Sequence, residues 1–281
     1  MGRIGEILQR RKKGSSYATQ RVNGTAPKAI FPMAGKDTRG WVSPSYIQSR
    51  FSRLSPVVLS HNRCVAFFPD LPEVEPYRVL RTQVLPRILE KGGNTLMVTS
   101  ALPGEGKTLT AINLSFAIAQ EFQHTVLLVD CDLRQQSIHR LLGIRGEKGI
   151  IDYILDNRPM EDLIVWPGVE KMTLISGGKT IDGSSELLNS PRMKELVAEM
   201  KTRYPDRFVI FDVPPVLVTA DALAFAPLVD YVVMVVQAGK TPLPDVQKAL
   251  GMLPKEKVLG LVLNRHQAST KPYYYPHYRK K

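Results

Sequence analysis

The sequence predicts an α/β fold, with a doubly wound, mostly parallel sheet flanked by helices. Six apolar runs rich in β-branched residues predict strands at 95–100, 125–130, 172–176, 208–212, 231–236 and 258–264. Helical patterns lie between them, at about 107–121, 136–143, 190–204, 219–229 and 243–253. Strands that are apolar along their whole length are typical of a sheet buried on both faces, and their alternation with helices is typical of parallel strands.

Two helix boundaries can be placed more closely. The segment EPYRVLRTQVLPRILE (75–90) has a helical pattern that Pro86 is expected to kink or end, because proline cannot donate a backbone hydrogen bond. Ser190 followed by Pro191 predicts the start of the helix that contains RMKELVAEM. Serine is a favoured capping residue, and proline is favoured at the first helical position.

The charge distribution divides the chain into three parts. The net charge of +12 places +9 on residues 1–60 and +5 on 265–281, which leaves −2 for 61–264. We therefore expect a basic, largely disordered arm at 1–69, a folded domain at 70–264, and a basic tail at 265–281. A near-neutral domain makes nucleic acid an unexpected partner, although the arms suit anionic lipid, acidic proteins or solvent alone.

Composition indicates a cytoplasmic protein. The apolar run YVVMVV (231–236) is far shorter than the roughly 20 residues that a membrane helix needs, and the N-terminal segment has no apolar signal core. Two cysteines, Cys64 and Cys131, make no disulfide framework. The five histidines have no ligand spacing, so we expect no metal held by protein side chains alone.

The first predicted strand runs directly into ALPGEGKT (101–108), which opens a helix. This pattern predicts a phosphate-binding loop of the P-loop NTPase type, with Ala101 where the usual motif has its first glycine. Lys107 can reach the β- and γ-phosphates of ATP, and the Thr108 hydroxyl can bind Mg²⁺. The predicted nucleotide-binding residues of this segment are Pro103, Gly104, Glu105, Gly106, Lys107, Thr108 and Leu109.

Three aspartates end two other predicted strands. Asp130 and Asp132 end VLLVDCD, and Asp212 ends FVIFD. In an open α/β sheet the ligand crevice lies outside the carboxyl ends of the strands, so these carboxylates should converge on the phosphate loop. This arrangement favours Mg²⁺ chemistry over three unrelated polar caps.

Together, ALPGEGKT, VLLVDCDLR, FVIFDVPP, the EPYRVLR helix and the terminal cluster PYYYPHY resemble the cytoplasmic domain of bacterial tyrosine kinases, the BY-kinases. The resemblance covers about 70–281. SGGKTIDGSSELLNSPRM (176–193) is similar to the Gly-Pro-Asn-Pro-Ser-Glu-Leu-Leu region of that family, without its prolines. The chain has no transmembrane chain-length-determinant region, so it resembles the split form, whose membrane partner is a separate polypeptide.

The resemblance implies a role for each matching residue. Lys107 and Thr108 match the Walker A contacts to phosphate and Mg²⁺, and Asp212 matches the Walker B acid. Asp130 and Asp132 match the Walker A′ pair, in which one carboxylate accepts the phenol proton and the other supports Mg²⁺. We assign the proton to Asp130 and the metal to Thr108, Asp132 and Asp212. Asn264 resembles a position that contacts adenine in related ATPases.

Two further sets have roles by resemblance. Glu75, Arg78 and Arg81 match a Glu-x-x-Arg-x-x-Arg motif that mediates ring assembly; the alternative is a solvated helix face with an i,i+3 ion pair. The expected phosphoacceptors are the tail tyrosines Tyr273, Tyr274, Tyr275 and Tyr278. The alternative for the tail is docking by aromatic stacking, or no role at all.

The resemblance implies an ATP- and Mg²⁺-dependent protein-tyrosine autokinase that phosphorylates its tail in trans and regulates exopolysaccharide or capsule synthesis or export. Its expected partners are other copies of itself, such as a ring, a separate membrane activator that recruits it to the inner face of the cell membrane, and a phosphotyrosine phosphatase.

Two other functions remain open. One is a partitioning or division-site ATPase, although such proteins place a second lysine five residues before the loop lysine, where this chain has Leu102. The other is a nucleotide-binding scaffold without phosphotransfer.

Overall fold

The computed structural model describes residues 49–266 except 122, 147, 182 and 205. This part of the chain forms an eight-stranded sheet in the order β1-β4-β5-β3-β6-β2-β7-β8. The strands are β1 (Arg50–Phe51), β2 (Thr95–Ser100), β3 (Thr125–Asp130), β4 (Val165–Trp166), β5 (Met172–Ile175), β6 (Arg207–Asp212), β7 (Tyr231–Gln237) and β8 (Val258–Asn264). The six predicted strands coincide with β2, β3 and β5 to β8.

Helices connect these strands. The α-helices are α1 (Pro56–His61), α2 (Glu75–Leu89), α3 (Lys107–Ala119), α4 (Ile138–Leu142), α5 (Ile150–Asp156), α6 (Ser184–Leu188), α7 (Pro191–Thr202), α8 (Asp221–Phe225) and α9 (Leu243–Met252). Short 3₁₀ helices are found at Val65–Phe67, Pro72–Val74, Met160–Asp162, Ala226–Leu228 and Lys255–Lys257. The helix α2 runs through Pro86 to Leu89, and the Ser190 side chain caps α7 by accepting a hydrogen bond from the backbone N–H of Met193.

The predicted doubly wound, mostly parallel sheet is confirmed. Strand β2 pairs in parallel with β6 and β7, and β3 pairs in parallel with β5 and β6, while β4 and β5 are antiparallel. Because β6 lies between β2 and β3, the chain crosses over a strand after leaving β2. The carboxyl ends of β2, β3 and β6 therefore lie side by side, with the phosphate loop among them.

Alternate residues of each central strand face two separate cores. In β2, Leu96 and Val98 pack into one core, with Ile112 and Phe116 of α3, and Met97 packs into the other. This alternation follows from the two-residue period of a strand. Both faces are covered, which explains why the strands are apolar throughout.

The expected boundary at residue 70 is wrong, because residues 49–69 fold with the domain. Leu54, Leu59 and Phe67 are at most 2% exposed and belong to the same core as α3. Ala66 N–H donates to Asn113 Oδ1 of α3 at 2.8 Å. These apolar residues are irregularly spaced among serines and prolines, so no period marked them in the sequence. The rest of the predicted arm, 1–48, lies outside the described residues.

No helix in the described ranges is long and apolar enough to cross a membrane. Of the predicted tail, only Arg265 and His266 are described.

Candidate active site

The loop between β2 and α3 has the backbone that its glycines predict. Gly104 and Gly106 have φ angles of 79° and 96°, in a region that residues with a Cβ rarely adopt. Lys107 and Thr108 are the first two residues of α3. The positive end of the helix dipole and the N–H groups of its first turn therefore favour an anion at this loop.

The side chains of Glu105 and Asn264 stabilise the phosphate loop. Glu105 is 2% exposed, and its carboxylate accepts hydrogen bonds from Leu102 N–H at 2.7 Å, Gln237 N–H at 3.3 Å and the Thr241 hydroxyl. Asn264 Nδ2 donates to the backbone carbonyl of Glu105 at 2.8 Å. A predicted ligand residue, Glu105, is thus a support of the loop, and β7 and β8 help to fix the loop's shape.

The lysine of the loop lies between two of the predicted carboxylates. Lys107 Nζ is 2.8 Å from Asp132 Oδ2 and 3.3 Å from Asp212 Oδ1. The Thr108 hydroxyl donates to Asp212 Oδ2 at 2.7 Å. The structure therefore brings Lys107, Thr108, Asp132 and Asp212 together, as predicted from three separate sequence segments.

Asp130 has a different environment from Asp132. It is completely buried, and its oxygens accept backbone N–H bonds from Asp132 at 3.2 Å and from Ser137 and Ile138 at 3.1 Å each. Asp132 lines the cleft in front of the loop, whereas Asp130 does not. Asp130 thus fixes the segment 131–138, and Asp132 is the carboxylate that a ligand can reach.

Burial and neighbouring charges together set the pKa values of the ionisable groups. Burial alone would lower the pKa of Lys107, but the charges of Asp212 and Asp132 outweigh burial and raise the pKa overall. Burial raises the pKa of Asp130 to about 8, and repulsion from Asp212 adds to the rise. Burial also raises the pKa of Asp212 against the opposing effects of Lys107 and Thr108. The proton stays on Lys107, and Asp130, which has no bond to the ammonium, is the carboxylate that takes up a further proton.

This cluster suits a divalent cation. With Asp130 protonated and with Asp132, Asp212 and Lys107 ionised, its formal charge is −1, which favours a cation. Among the described residues, no three His, Cys, Asp or Glu side chains are placed to hold a metal by themselves. Mg²⁺ typically needs only one or two carboxylates when substrate phosphates complete its shell. The hydroxyl of Thr108 and the carboxylates of Asp212 and Asp132 are oxygen donors of the required kind.

A cleft of about 600 Å³ lies in front of the phosphate loop. That volume lies within the usual range for small-molecule sites. Besides the predicted Pro103, Gly104, Gly106, Lys107, Thr108, Leu109 and Asp132, its lining includes Arg134, Gln135, Arg140 and Arg265. The sequence prediction missed these. Arg134 follows Asp132 by only two residues, so its nearness in sequence was the available signal.

The predicted adenine contact, Asn264, has both ends of its amide engaged within the chain. Its Nδ2 supports the phosphate loop, and its Oδ1 accepts from Arg265 N–H at 2.9 Å. It lies against Gly106, where an added Cβ would be 2.2 Å from Nδ2. Its contact with adenine stays a prediction.

The three predicted assembly residues lie on α2. Arg78 pairs with Glu75 at 3.3 Å, the i,i+3 pair of the alternative interpretation, and donates to the Pro69 carbonyl at 2.7 Å. Arg81 donates to the Ala117 carbonyl at 2.8 Å. Both arginines therefore attach α2 to its own domain, while the Glu75 side chain is 65% exposed. The predicted acceptors Tyr273, Tyr274, Tyr275 and Tyr278 lie outside the described residues.

Comparison with known proteins gives consistent results. A family model described as an AAA domain matches residues 94–255, more than half of the chain. Tyrosine-protein kinase YwqD of Bacillus subtilis is 34% identical over 197 residues, which cover 69% of this chain and 82% of YwqD. Tyrosine-protein kinase wzc of Salmonella typhimurium is 31% identical over 68% of this chain, which spans only 26% of wzc.

A solved structure agrees with these relatives. The kinase domain of the Escherichia coli tyrosine kinase ETK superposes with a TM-score of 0.66 at 28% identity. The superposition covers 75% of this chain and 84% of that domain.

Proposed function

The chain belongs to the AAA-domain family and, within it, to the bacterial tyrosine-protein kinases, and on that premise we propose that it is an ATP- and Mg²⁺-dependent protein-tyrosine autokinase. Its proposed acceptors are the tyrosines of its own C-terminal cluster, phosphorylated in trans. The observation that carries the proposal is the position of Lys107, within 3.3 Å of both Asp132 and Asp212 at the mouth of a phosphate loop.

The first proposed step is the binding of ATP in the cleft. Backbone N–H groups around Gly104 and Gly106 and the N-terminus of α3 suit the phosphates. Lys107 would exchange its carboxylate partners for phosphate oxygens. In phosphoryl transfer, catalysis rests mainly on positioning and electrostatic stabilisation, which this preformed loop provides.

Mg²⁺ has a matching set of oxygen donors in Thr108 and Asp212, whose side chains are already hydrogen-bonded to each other. When bound, the ion supplies positive charge to the phosphate oxygens. Asp212 is fully buried and held by both Thr108 and Lys107, so its oxygens keep a fixed direction.

We propose that Asp132, not Asp130, accepts the proton of the acceptor phenol. Asp132 lines the cleft and has one oxygen directed to Lys107, while its other oxygen accepts from Gln135 N–H at 3.0 Å. The carboxylate of Asp130 is buried and used by three backbone donors. Asp130 would act on the reaction by positioning Asp132.

The tail leaves the domain beside its own active site. β8 ends at Asn264, which touches the phosphate loop, and Arg265 lines the cleft. Tyr273 follows Arg265 by eight positions, and eight residues of extended chain span at most about 28 Å. Transfer in cis is therefore the direct competitor of the proposed transfer in trans.

Mixing two defective chains separates the two routes. One chain carries Lys107→Met with the intact tail; the other is active but has its four tail tyrosines changed to Phe. With Mg²⁺-ATP, we expect phosphotyrosine on the Lys107→Met chain only in the mixture. If the wild-type chain becomes labelled in a separate reaction but the Lys107→Met chain stays unlabelled in the mixture, transfer occurs in cis. Absence of phosphotyrosine from wild type would leave the scaffold interpretation.

Assembly through α2 is part of the proposal, and Glu75 gives the cleaner test of it. Arg78 and Arg81 hold α2 to its own domain, so their replacement disturbs the fold as well as an interface. Glu75→Ala removes an exposed carboxylate with one weak surface ion pair, worth about 0–1 kcal/mol. We expect Glu75→Ala to lower the sedimentation coefficient and the rate of transfer between chains, with an unchanged melting temperature. An unaltered oligomer would remove Glu75 from the interface.

The cellular role rests on the family resemblance. We propose that the chain regulates exopolysaccharide or capsule synthesis or export. A separate membrane activator would recruit it to the inner face of the cell membrane, and a phosphotyrosine phosphatase would reset it.

A further inference from the structure

Arg134 lies at the mouth of the cleft. It belongs to the segment after β3, two residues beyond Asp132, and both side chains line the cleft with Lys107. About half of the Arg134 side chain is exposed, at 47%. It is thus a cation that a bound anion could reach without any change in the fold.

A buried pair holds this arginine from behind. Arg134 Nε donates to Ser184 Oγ at 2.8 Å, and Ser184 Oγ donates to Asp221 Oδ2 at 2.6 Å. Ser184 and Asp221 both have 0% exposure. The Asp221 carboxylate is 3.6 Å from Nε, so its charge also attracts the guanidinium. Three segments that are distant in sequence, at β3, α6 and α8, meet at this chain of contacts.

The remaining donors of Arg134 are available. Its guanidinium has five N–H groups, of which Nε–H is one. Within 49–266, apart from the four omitted positions, no hydrogen bond of the structure uses Nη1 or Nη2 of Arg134. Among the described residues, Oδ1 of the buried Asp221 also has no hydrogen-bond partner. A planar guanidinium held at one end, with both Nη groups free, suits bidentate binding of phosphate.

The supporting serine departs from the family pattern quoted above. In the region that resembles Gly-Pro-Asn-Pro-Ser-Glu-Leu-Leu, Ser184 stands where the pattern has its second proline. Proline has no hydroxyl and could not link Arg134 to Asp221. Its neighbour Ser185 is only partly buried, and its hydroxyl donates to the adjacent Glu186 side chain at 2.9 Å. The two serines therefore form a pair for comparison: Ser184 accepts a hydrogen bond from Arg134 directly, whereas Ser185 donates to Glu186, which interacts with Arg134 only through its charge.

We propose that Arg134 binds the phosphoryl group that passes through the cleft, and that Ser184 and Asp221 are positioning residues that direct its guanidinium. This inference rests on the proposed kinase function. Two sources share the ligand chemistry: the terminal phosphate of ATP, and the phosphate ester of a phosphotyrosine product. Arg134 binds a terminal phosphate but has no such contact with ADP.

The first measurement compares the affinities for ATP and ADP, with Mg²⁺, by titration calorimetry. In Arg134→Gln we expect the preference for ATP over ADP to fall about ten-fold, because a hydrogen bond to a charged group is lost. In Ser184→Ala we expect a fall of about three-fold, and in Ser185→Ala no change. The affinity for ADP should stay constant throughout, since a general distortion of the site would weaken both nucleotides. Arg134→Gln changes a half-exposed side chain, so the test remains valid if Ser184→Ala does not fold.

The second measurement titrates a synthetic peptide of residues 267–281, with and without phosphate on Tyr274. If the ATP preference is constant but Arg134→Gln and Ser184→Ala lose the preference for the phosphorylated peptide, the ligand is the product phosphate. If neither preference changes, the proposal is wrong. A wild-type chain that binds the phosphopeptide through Arg134 but forms no phosphotyrosine would contradict the proposed function and leave this inference standing.

Discussion

Two of the segments that line the cleft, the phosphate loop (101–106) and the segment after β3 (131–137), are held in place in different ways. The phosphate loop depends on residues that are distant in sequence. Glu105 accepts from Gln237 and Thr241, and Asn264 donates to the loop's own backbone. Its shape is thus a property of the folded sheet, in which β7 lies next to β2 and β8 lies next to β7.

The segment after β3 is supported mainly from within. Asp130 accepts from the backbone N–H groups of Asp132, Ser137 and Ile138, and Asp132 accepts from that of Gln135. Outside partners add to this support: Arg134 donates to Ser184 Oγ, Gln136 Nε2 donates to the Lys179 carbonyl at 2.9 Å, and Cys131 N–H donates to the Asp212 carbonyl at 2.8 Å. In both segments an acidic residue that a motif places at the site is a buried support: Glu105, predicted to bind nucleotide, and Asp130, predicted to be catalytic. The hydrogen-bond partners distinguish the two roles: Glu105 and Asp130 have no contact with the Lys107 ammonium, whereas Asp132 and Asp212 both lie against it.

The largest effect should separate the two aspartates of the segment after β3. We expect Asp132→Asn to slow phosphotransfer at saturating Mg²⁺-ATP by about 100-fold or more, because the carboxylate at the cleft accepts the phenol proton. Asp130→Asn should slow it far less, since the amide oxygen can still accept backbone hydrogen bonds. Single-turnover rates of phosphotyrosine formation provide the measurement. A larger loss in Asp130→Asn than in Asp132→Asn would reverse these roles.

The two glycines of the phosphate loop should differ in how strongly an added methyl group weakens ATP binding. A Cβ on Gly106 would lie 2.2 Å from Asn264 Nδ2, whereas a Cβ on Gly104 meets nothing within 4 Å. Both positions carry the strain of a positive φ, about 1–2 kcal/mol for a residue other than glycine. Only Gly106→Ala must also displace the amide that holds the loop. We expect it to weaken ATP binding about ten-fold more than Gly104→Ala, as measured by calorimetry.

A double variant provides the control for this comparison. In Gly106→Ala/Asn264→Ala the clash is removed, so its effect on ATP affinity should be smaller than the sum of the two single effects. Additive losses would show that Asn264 and Gly106 act independently.

The last prediction concerns the stability of the segment after β3. The pKa of Asp130 is about 8 in the folded chain, against an ordinary value of 3.8, because of burial. Between these values the folded chain keeps a proton that the unfolded chain releases, so this contribution to stability is full at low pH and is lost as pH rises towards 8. Urea unfolding in EDTA should show wild type losing stability relative to Asp130→Asn between about pH 5 and about pH 8. If the free energies of unfolding of wild type and Asp130→Asn change equally with pH, the raised pKa of Asp130 is contradicted.

Much of the fold could be predicted because the central strands are apolar on both faces and end in recognisable motifs. The short strands β1 and β4 could not, since two residues carry no period. Residues 49–69 were assigned to the arm because Leu54, Leu59 and Phe67 follow no helical or strand spacing, although they are buried against α3.

The site was predictable where chemistry and position coincide. Lys107, Thr108, Asp132 and Asp212 lie at the ends of strands that the parallel sheet brings to one edge. The supports were not predictable, because Glu105, Asn264, Ser184 and Asp221 act through partners that are up to 159 residues away. Such pairs are defined only by the folded chain.

Transfer of the terminal phosphoryl group from ATP to tyrosine tests the central claim most directly. The intact chain, Lys107→Met and the surface control Lys248→Met are incubated with Mg²⁺ and ATP labelled in its γ-phosphate, and phosphotyrosine is mapped by mass spectrometry. We expect label within 267–281 in the intact chain and in Lys248→Met, and at least about 100-fold less in Lys107→Met, because the charge beside the transferring group is gone. Equal phosphotyrosine in Lys107→Met, or release of ADP without phosphotyrosine in the intact chain, would contradict the account.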